Sequence, residues 1–297
     1  MVPAIRTYAL SKRYGQVLAL DSLDLTVERG EIFGYLGPNG AGKTTTIRLL
    51  LDFIRPTSGR AEVLGHDVRA DSLAVRCRTG YLQGDVALYD AMTGEHLLEL
   101  LDRLRGASNL AHGRALAERL DIDLKRKIGG YSSGMRQKLA LVAALMPQPE
   151  LLILDEPTKG LDPLVQQEVY RILREQQNEG RTVFLSSHNL PEAERVCNRV
   201  AILRRGKLMA VEEVEAIQHK KVRTLEVTFE RPVPREALRI PGTELRSMNG
   251  NRAEFQVSGH VREVLRALAE LPIDDIVFPE ATLEQTFMQF YSKGAEE

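Results

Sequence analysis

Apolar residues occur in short continuous runs that are separated by glycine, proline and charged positions. Residues 31–36, 151–154 and 182–187 form such runs, and each has the length of a strand. A run of this kind is typical of a strand that is buried on both faces of a parallel sheet. Residues 44–53 have helical spacing instead. The alternation of strands and helices predicts an α/β fold with a parallel sheet at its centre.

Two other patterns flank this parallel core, which the pattern assigns to residues 36–58 and 148–210. Residues 3–35 and 60–70 alternate short β patterns with turns, and they predict an antiparallel β subdomain. Residues 88–146 have mostly helical periodicity, and they predict a helical subdomain.

The composition changes near residue 218, where we expect a domain boundary. Residues 1–218 are predicted to form the large α/β domain, and residues 219–297 a small C-terminal α+β domain. Asn249-Gly250 is a strong hairpin signal in the second part. The elements predicted there are strands at 225–229, 244–257 (the hairpin) and 273–278, and helices at 234–240, 261–269 and 282–291.

Composition limits the class of protein. The chain has 297 residues with 40 Lys and Arg against 41 Asp and Glu, so no strong field attracts nucleic acid. The longest apolar run, residues 139–146, is far shorter than the roughly 18 residues that span a bilayer. Two cysteines make neither a disulfide framework nor a metal cluster. We expect a cytoplasmic protein with no nucleic-acid partner.

A glycine-rich segment follows the first apolar strand directly. Residues 37–45 fit the pattern G-x-x-x-x-G-K-[ST], whose backbone N–H groups cradle a phosphate chain. Lys43 is expected to reach the β- and γ-phosphates, and the Thr44 hydroxyl to bind Mg²⁺. The helix that follows adds partial positive charge beneath the phosphates. The predicted nucleotide-binding residues here are Gly37, Pro38, Asn39, Gly40, Ala41, Gly42, Lys43, Thr44 and Thr45.

The apolar run at 151–154 ends in two carboxylates, Asp155 and Glu156. Acids at the carboxyl end of a parallel strand lie at the edge where α/β sheets bind ligands. We expect Asp155 to hold Mg²⁺, and Glu156 to polarise a water molecule at the γ-phosphate. The alternative is that both acids merely begin a surface turn at Pro157.

A third segment, Tyr131-Ser132-Ser133-Gly134-Met135, lies between these two and precedes an apolar helical run. A serine at this place is normally just an N-cap. Because the segment stands between two phosphate elements, it is also a candidate anion site at a helix N-terminus.

Taken together, these segments resemble the ATP-binding subunits of ABC transporters, over about residues 3 to 217. The motifs occur in the family's order and at the family's spacings. The matching positions are residues 37–45, 131–135, 151–156 and 160–162, with Tyr14 and His188.

The resemblance implies a P-loop NTPase fold and a role for each matching residue, with ATP and Mg²⁺ as the ligands. Tyr14 would stack on the adenine ring, and His188 would hydrogen-bond the γ-phosphate and Glu156. Lys43, Glu156 and His188 would be the catalytic group.

In this family, one subunit does not complete its own ATP site. By the resemblance, Ser132, Ser133 and Gly134 would bind the γ-phosphate held by the other subunit, and Asp162 would cross the interface. This implies a head-to-tail homodimer, or a dimer with a paralogous ATPase subunit, that closes around two ATP molecules.

The chain departs from the family pattern at residues 80–85, Gly-Tyr-Leu-Gln-Gly-Asp. Gly84 occupies the position of a glutamine that binds Mg²⁺ in the family, and Gln83 replaces a proline. Gln83 could substitute by a shift of one residue, and Asp85 could supply an oxygen. The hypothesis is slow hydrolysis or altered metal coupling. The predicted Mg²⁺ ligands are Thr44, Gln83 and Asp155.

Residues 281–287 resemble the tail of ATPase subunits from ABC-2-type exporters, which typically work on drugs, lipids or polysaccharides. The resemblance implies a separate polytopic transmembrane subunit, with this chain peripheral on the cytoplasmic face of the membrane. Two other classes stay open: a clamp on ribosomes or DNA, and a regulatory ATP-gated module with weak turnover. The C-terminal domain would be a dimerisation or stabilising appendage.

Overall fold

A computed structural model describes residues 2–106, 108–219, 223–257 and 261–278. The chain separates into two compact units, Met1–Glu212 and Glu213–Glu297. The division lies close to residue 218, where the composition changes.

The first unit contains the elements of the α/β fold. Its strands are β1 (Ile5–Tyr14), β2 (Val17–Leu23), β3 (Thr26–Val27), β4 (Ile32–Leu36), β5 (Ser58–Val63), β6 (His66–Asp67), β7 (Thr79–Leu82), β8 (Leu151–Asp155), β9 (Thr182–Ser187), β10 (Arg199–Arg204) and β11 (Lys207–Glu213). Its helices are α1 (Lys43–Leu50), α2 (Ser72–Cys77), α3 (Gly94–Arg105), α4 (Leu110–Arg119), α5 (Ser133–Leu145), α6 (Pro163–Asn178) and α7 (Leu190–Val196).

The first sheet is the antiparallel β subdomain that the sequence predicts, except that residues 32–35 of the predicted range belong to β4 of the parallel sheet. Its strand order is β2-β1-β5-β6, and β3 also pairs with β1. β1 ends at Tyr14, which pairs with Val17 across a turn that contains Gly15. Tyr14 therefore stands at the tip of a hairpin.

The second sheet has six strands in the order β11-β10-β4-β9-β8-β7. The four pairs from β10 to β7 are all parallel. Every residue of β4, β8 and β9 is buried, as their continuous apolar runs predict. The carboxyl ends of these three strands meet at one edge, and residues 37, 156 and 188 follow them there.

Aromatic side chains hold the helix after β4 against this sheet. The rings of Phe33 and Phe184 stack with their centroids 6.1 Å apart, and Tyr35 packs on Phe184 at 5.1 Å. The Tyr35 hydroxyl lies 3.0 Å from Thr46 Oγ1, on the first turns of α1. Because these groups are buried, the start of α1 has a defined position beneath the glycine-rich loop.

The predicted helical subdomain consists of α3, α4 and α5. Thr93 caps the start of α3, and Gly106 ends it with a φ of 63°. Arg119, the last residue of α4, pairs with Glu168 and Glu175 of α6. These ion pairs connect the helical subdomain to the helix that follows Asp162.

The second unit contains α8 (Val214–His219), β12 (Arg223–Phe229), β13 (Thr243–Asn249), β14 (Arg252–Val257), α9 (Val261–Leu268) and β15 (Ile273–Val277). Its strands form an antiparallel sheet in the order β13-β14-β12-β15. The hairpin from β13 to β14 turns at Gly250, with a φ of 63°, as the Asn-Gly pair predicts. Leu225, Phe229, Phe255 and Leu268 belong to its separate core.

One predicted element of this unit was wrong. Residues 234–240 form only a short 3₁₀ turn, Arg235–Leu238, instead of an α-helix. Pro234 and Pro241 bracket the segment, and so few residues do not offset the cost of starting an α-helix. The predicted helix at 282–291 and the segment 281–287 lie outside the described residues.

Among the residues that the structure describes, no helix combines the length and the apolar character that crossing a membrane requires.

Candidate functional site

The glycine-rich loop connects β4 to α1 and is shaped by two glycines. Gly40 and Gly42 have φ of 79° and 111°, in the region that favours glycine. A Cβ at Gly42 would lie 2.7 Å from the carbonyl oxygen of Ala19, so no side chain fits there. Gly42 is also the N-cap of α1 and supplies no side-chain hydrogen bond. The first amides of α1 are thus left for an anion.

Lys43 folds back over this loop. Its Nζ donates to the carbonyl oxygens of Gly37 at 2.6 Å and Pro38 at 3.3 Å, and it lies 3.7 Å from Glu156 Oε1. Burial lowers the pKa of Lys43, and the nearby carboxylates of Glu156 and Asp155 oppose that shift. The ammonium group is therefore a poorly hydrated cation that favours an anionic ligand.

Asp155 ends β8 and faces the start of α1. The Thr44 hydroxyl donates to Asp155 Oδ2 at 2.9 Å, and the Ser186 hydroxyl donates to Oδ1. The carboxylate is buried. Thr44 and Asp155 thus bring a hydroxyl and a carboxylate together, which are hard oxygen donors of the kind that Mg²⁺ prefers.

Glu156 and His188 form a pair at the end of the sheet. His188 Nδ1 lies 2.6 Å from Glu156 Oε2. Glu156 has a φ of 52°, which residues other than glycine rarely adopt. Such a conformation costs about 1–3 kcal/mol and persists only where surrounding contacts hold it. One such contact is the hydrogen bond from Glu156 N to Ser186 O at 3.1 Å.

Gln137 supplies further contacts of this kind, and the sequence reasoning missed it. Its Nε2 donates to the carbonyl oxygens of Glu156 at 3.0 Å and Pro157 at 3.1 Å. Gln137 lies in the first turns of α5 and is buried. The sequence gives little sign of this role, because Gln137 stands between Arg136 and Lys138 and reads as one of the polar residues before the apolar run at 139–146.

Gly84, and not Gln83, is the residue that the structure brings against Asp155. A Cβ at Gly84 would lie 3.2 Å from Asp155 Oδ2, which is a tight contact. The Gln83 side chain is exposed, and it lines the cavity into which Asp155 also faces. Asp85 accepts a hydrogen bond from Lys159 Nζ at 3.2 Å. Because both of these side chains are well exposed, water screens this pair and it contributes little to stability.

These groups line one cavity of about 620 Å³. Tyr14 lines the same cavity with a half-exposed ring, and Lys12 Nζ lies 5.1 Å from the centre of that ring. The predicted site residues that line it are Tyr14, Pro38, Asn39, Gly40, Ala41, Gly42, Lys43, Thr44, Thr45, Gln83, Asp155, Glu156 and His188. Gly37 is the first residue of the loop. A Cβ at Gly37 would lie 2.7 Å from the carbonyl oxygen of Leu203.

Besides Gly37, four predicted residues are not part of the lining of this cavity: Ser132, Ser133, Gly134 and Asp162. Ser132 caps α5 and accepts a hydrogen bond from Met135 N at 3.2 Å. Asp162 caps α6 and accepts from the backbone of residues 164 and 165 at 3.1 and 3.0 Å. A Cβ at Gly134 would lie 3.1 Å from Gly160 O, so the two caps belong to neighbouring segments.

The chain matches a known protein family. The family described as ABC transporter matches residues 20–159. A daunorubicin resistance ATP-binding protein of Streptomyces coeruleorubidus is 45% identical over 212 residues, which are 70% of this chain and 67% of that protein. A bacitracin transport ATP-binding protein of Bacillus licheniformis is 39% identical over 215 residues, 70% of this chain and 69% of that one.

A longer relative and a solved structure extend the comparison. ATP-binding cassette sub-family A member 7 of Mus musculus is 36% identical over 302 aligned residues, 94% of this chain, although the chain spans only 14% of that protein. A structure described as the ATP binding subunit of an ABC transporter has a TM-score of 0.66 at 31% identity. It covers 73% of this chain and 92% of its own.

Proposed function

Because the chain belongs to the ABC transporter family as an ATP-binding, ATP-hydrolysing subunit, we propose that two copies close head to tail around ATP and drive an exporter. The membrane-spanning subunit of that exporter would be a separate polytopic chain, and this chain would sit against it on the cytoplasmic face. A closing pair could equally include a paralogous ATPase subunit.

One observation carries this proposal: two functional pairs share a single cavity with Lys43. Thr44 and Asp155 are hydrogen-bonded on its wall, and Glu156 and His188 are hydrogen-bonded beside them. A phosphate chain on the loop would place its terminal group near all of these side chains. That arrangement suits hydrolysis of the terminal phosphate bond.

Each residue of the cavity has a separate proposed role in binding or hydrolysing ATP. Tyr14 would stack on the adenine ring, and Lys43 would bind the β- and γ-phosphates. Thr44 and Asp155, with Gln83 as a third proposed ligand, would hold Mg²⁺, which neutralises charge on phosphate oxygens. Glu156 would accept the proton of the attacking water, and His188 would orient Glu156 rather than act as the main base.

The segments outside the cavity support the shared site. Ser132, Ser133 and Gly134 lie at the start of α5 outside the lining of the cavity, and so does Asp162 at the start of α6. We propose that they complete the cavity of the second copy, with the amides of α5 directed at its γ-phosphate. ATP would then stabilise the closed pair, and hydrolysis would release it.

A second candidate function rests on Gly84. The family's Mg²⁺-binding glutamine is replaced there by a residue with no side chain, and its backbone stands against Asp155. That favours a regulatory or non-transport ATPase that acts as an ATP-gated clamp with weak turnover. The rate of ATP hydrolysis by the full chain, compared with its Glu156→Gln variant, separates this candidate from the exporter.

The relatives include a daunorubicin resistance protein and a bacitracin transport protein, and a relative from Homo sapiens is named a phospholipid-transporting ATPase. We propose a drug or lipid exporter on that basis. The test is purification of the Glu156→Gln variant with ATP from detergent-solubilised membranes, followed by mass spectrometry. A stoichiometric polytopic membrane protein that is absent from a Lys43→Ala preparation is the expected result. Recovery of only ribosomal, nucleic-acid or soluble partners would contradict the exporter.

A further inference from the structure

We propose that Glu192 is a positioning residue for ATP hydrolysis, because its carboxylate joins the two segments that carry Glu156 and His188. The inference rests on the proposed function and deepens it. Nothing in the phosphate-binding motifs includes this residue.

Glu192 forms a buried bridge between the two segments through two hydrogen bonds, which we call its two arms. Ser187 Oγ donates to Glu192 Oε2 at 2.5 Å, and Thr158 Oγ1 donates to Oε1 at 2.6 Å. Glu192 is only 3% exposed. Ser187 directly precedes His188, and Thr158 is two residues after Glu156. One carboxylate therefore contacts both catalytic segments just behind their reacting side chains.

The bridge lies where the pairing of the two strands ends. β8 and β9 pair as far as Asp155 and Ser186. The hydrogen bond from Glu156 N to Ser186 O at 3.1 Å continues the ladder by one step, and the side chains of Glu156 and His188 lie 2.6 Å apart beyond it. Glu192 supplies a second connection between the segments at this level of the fold.

The turn after β9 is closed onto the same residue. Ser187 Oγ accepts from Asn189 N at 3.0 Å, and Asn189 Oδ1 accepts from Glu192 N at 3.4 Å. The bridge thus joins β9, the turn after β8 and α7, the helix that carries Glu192.

Burying a carboxylate at this place costs folding free energy, and burying an apolar side chain of the same size would not. Burial raises the pKa of Glu192, while the two hydroxyl donors oppose that shift. Carboxylates this deeply buried normally pair with a cation or a metal ion. Here each carboxylate oxygen accepts a hydrogen bond from one hydroxyl group, and these directional contacts are ones that an apolar residue cannot make.

The test is steady-state ATP hydrolysis and ATP affinity of the full chain with substitutions at Glu192. Glu192→Leu removes both arms and is expected to lower kcat about 10- to 100-fold, because displacement of catalytic groups by about 1 Å has effects of this size. The Kd for ATP should change by no more than about twofold, since neither phosphate nor adenine contacts are touched.

The matched variant Glu192→Gln keeps both arms, because its oxygen accepts from one hydroxyl and its amide donates to the other. It should retain kcat within about threefold of the wild type. Thr158→Val removes one arm and should lower kcat by about fivefold, with little further loss when it is combined with Glu192→Leu.

Glu31 offers a control carboxylate in the same unit. It is buried, accepts from Glu28 N at 2.7 Å and pairs with Arg199 at 3.0 Å, just before β4. Glu31→Gln should keep kcat within about twofold of the wild type, whatever its effect on stability.

Several results would overturn the inference. They are wild-type kcat in Glu192→Leu, an equal loss of kcat in Glu192→Gln, or a loss of ATP affinity that matches the loss of kcat. If Glu192→Leu does not fold, unchanged kcat in Thr158→Val would overturn it. Turnover by the wild type that Glu156→Gln abolishes would show in such a case that the ATP-hydrolysing site of the proposed function is intact. Absence of wild-type turnover would overturn the proposed function itself.

Discussion

The side-chain amide of Gln137 donates a 3.0 Å hydrogen bond to the backbone carbonyl of Glu156. Gln137 belongs to α5, whose first residues are the proposed γ-phosphate contacts of the second copy. Glu156 holds the unusual φ of 52°. The orientation of α5 and the backbone of the proposed catalytic carboxylate are therefore connected within one chain.

We expect Gln137→Leu to lower kcat for ATP about tenfold or more with little change in ATP affinity, because the carbonyl groups of Glu156 and Pro157 lose the amide donor that holds them. Gln137→Glu should lower it at least as much, since a carboxylate repels both carbonyl oxygens. Gln176, a buried glutamine of α6 that accepts from Arg181, is the control. Activity in Gln137→Leu equal to that in Gln176→Leu would contradict the connection.

Gly84→Gln tests whether the missing side chain limits hydrolysis. A Cβ at Gly84 lies 3.2 Å from Asp155 Oδ2, so the loop must shift by a few tenths of an ångström. The control Gly84→Ala carries the same Cβ without the amide. We expect the Gln variant to turn over ATP about fivefold faster than the Ala variant and to need less Mg²⁺. Turnover and Mg²⁺ dependence identical to those of the wild type would sink the hypothesis.

Lys43→Ala is expected to weaken ATP binding about 10- to 100-fold, the range for loss of a charged hydrogen bond to phosphate. Fluorescent ATP titration measures the affinity. Lys138 is the matched control, because it is also buried but donates to the carbonyl oxygens of Leu120 and Asp121. Lys138→Met should bind ATP as the wild type does. Wild-type affinity in Lys43→Ala would remove the basis for the whole site.

The buried carboxylate of Glu192 predicts a pH dependence of stability. Burial raises its pKa in the folded state above the ordinary value of 4.5. Its favourable contribution is present below the unfolded pKa and is lost as the pH rises through the folded pKa. Glu192→Gln does not titrate, so its Tm should gain on that of the wild type as the pH rises from about 4.5 towards 8.

Glu150 is expected to give a pH dependence of stability of the opposite sign. The hydrogen bond from Arg78 lowers the pKa of Glu150. Its stabilising contribution is present above the unfolded pKa and is lost as the pH falls through the folded pKa. Glu150→Gln should therefore lose Tm relative to the wild type as the pH rises through the range below about 4.5, and the difference should be nearly constant above it. A difference for Glu192→Gln that stays constant with pH would contradict the assignment.

Much of the site can be predicted because its residues follow strand ends. The runs before Gly37, Asp155 and His188 are continuous and apolar, and three parallel strands necessarily bring their carboxyl ends to one edge. The glycines of the loop indicate a backbone conformation that other residues rarely adopt. The Asn249-Gly250 turn is equally local.

The residues that could not be predicted act over long distances in the sequence. Gln137 reaches Glu156 across 19 positions, and Glu192 reaches Thr158 across 34. A polar residue on a helix gives no sign in the sequence of which distant backbone or hydroxyl group it will meet. The short turn at Arg235–Leu238 was mistaken for a helix because local periodicity ignores the prolines beside it.

The measurement that tests the central claim most directly is complementation between two inactive variants. Lys43→Ala disables the loop, and Ser132→Asp keeps an N-cap of α5 but places a negative charge against the partner's γ-phosphate. The neutral cap in Ser132→Asn is the control. If two chains share each site, a mixed dimer has one intact site.

We predict that each variant alone hydrolyses almost no ATP. An equimolar mixture should recover about one quarter of the wild-type rate, because half of the dimers are mixed and each has one working site of two. A mixture as inactive as its components, or full activity of Ser132→Asp alone, would contradict the shared site.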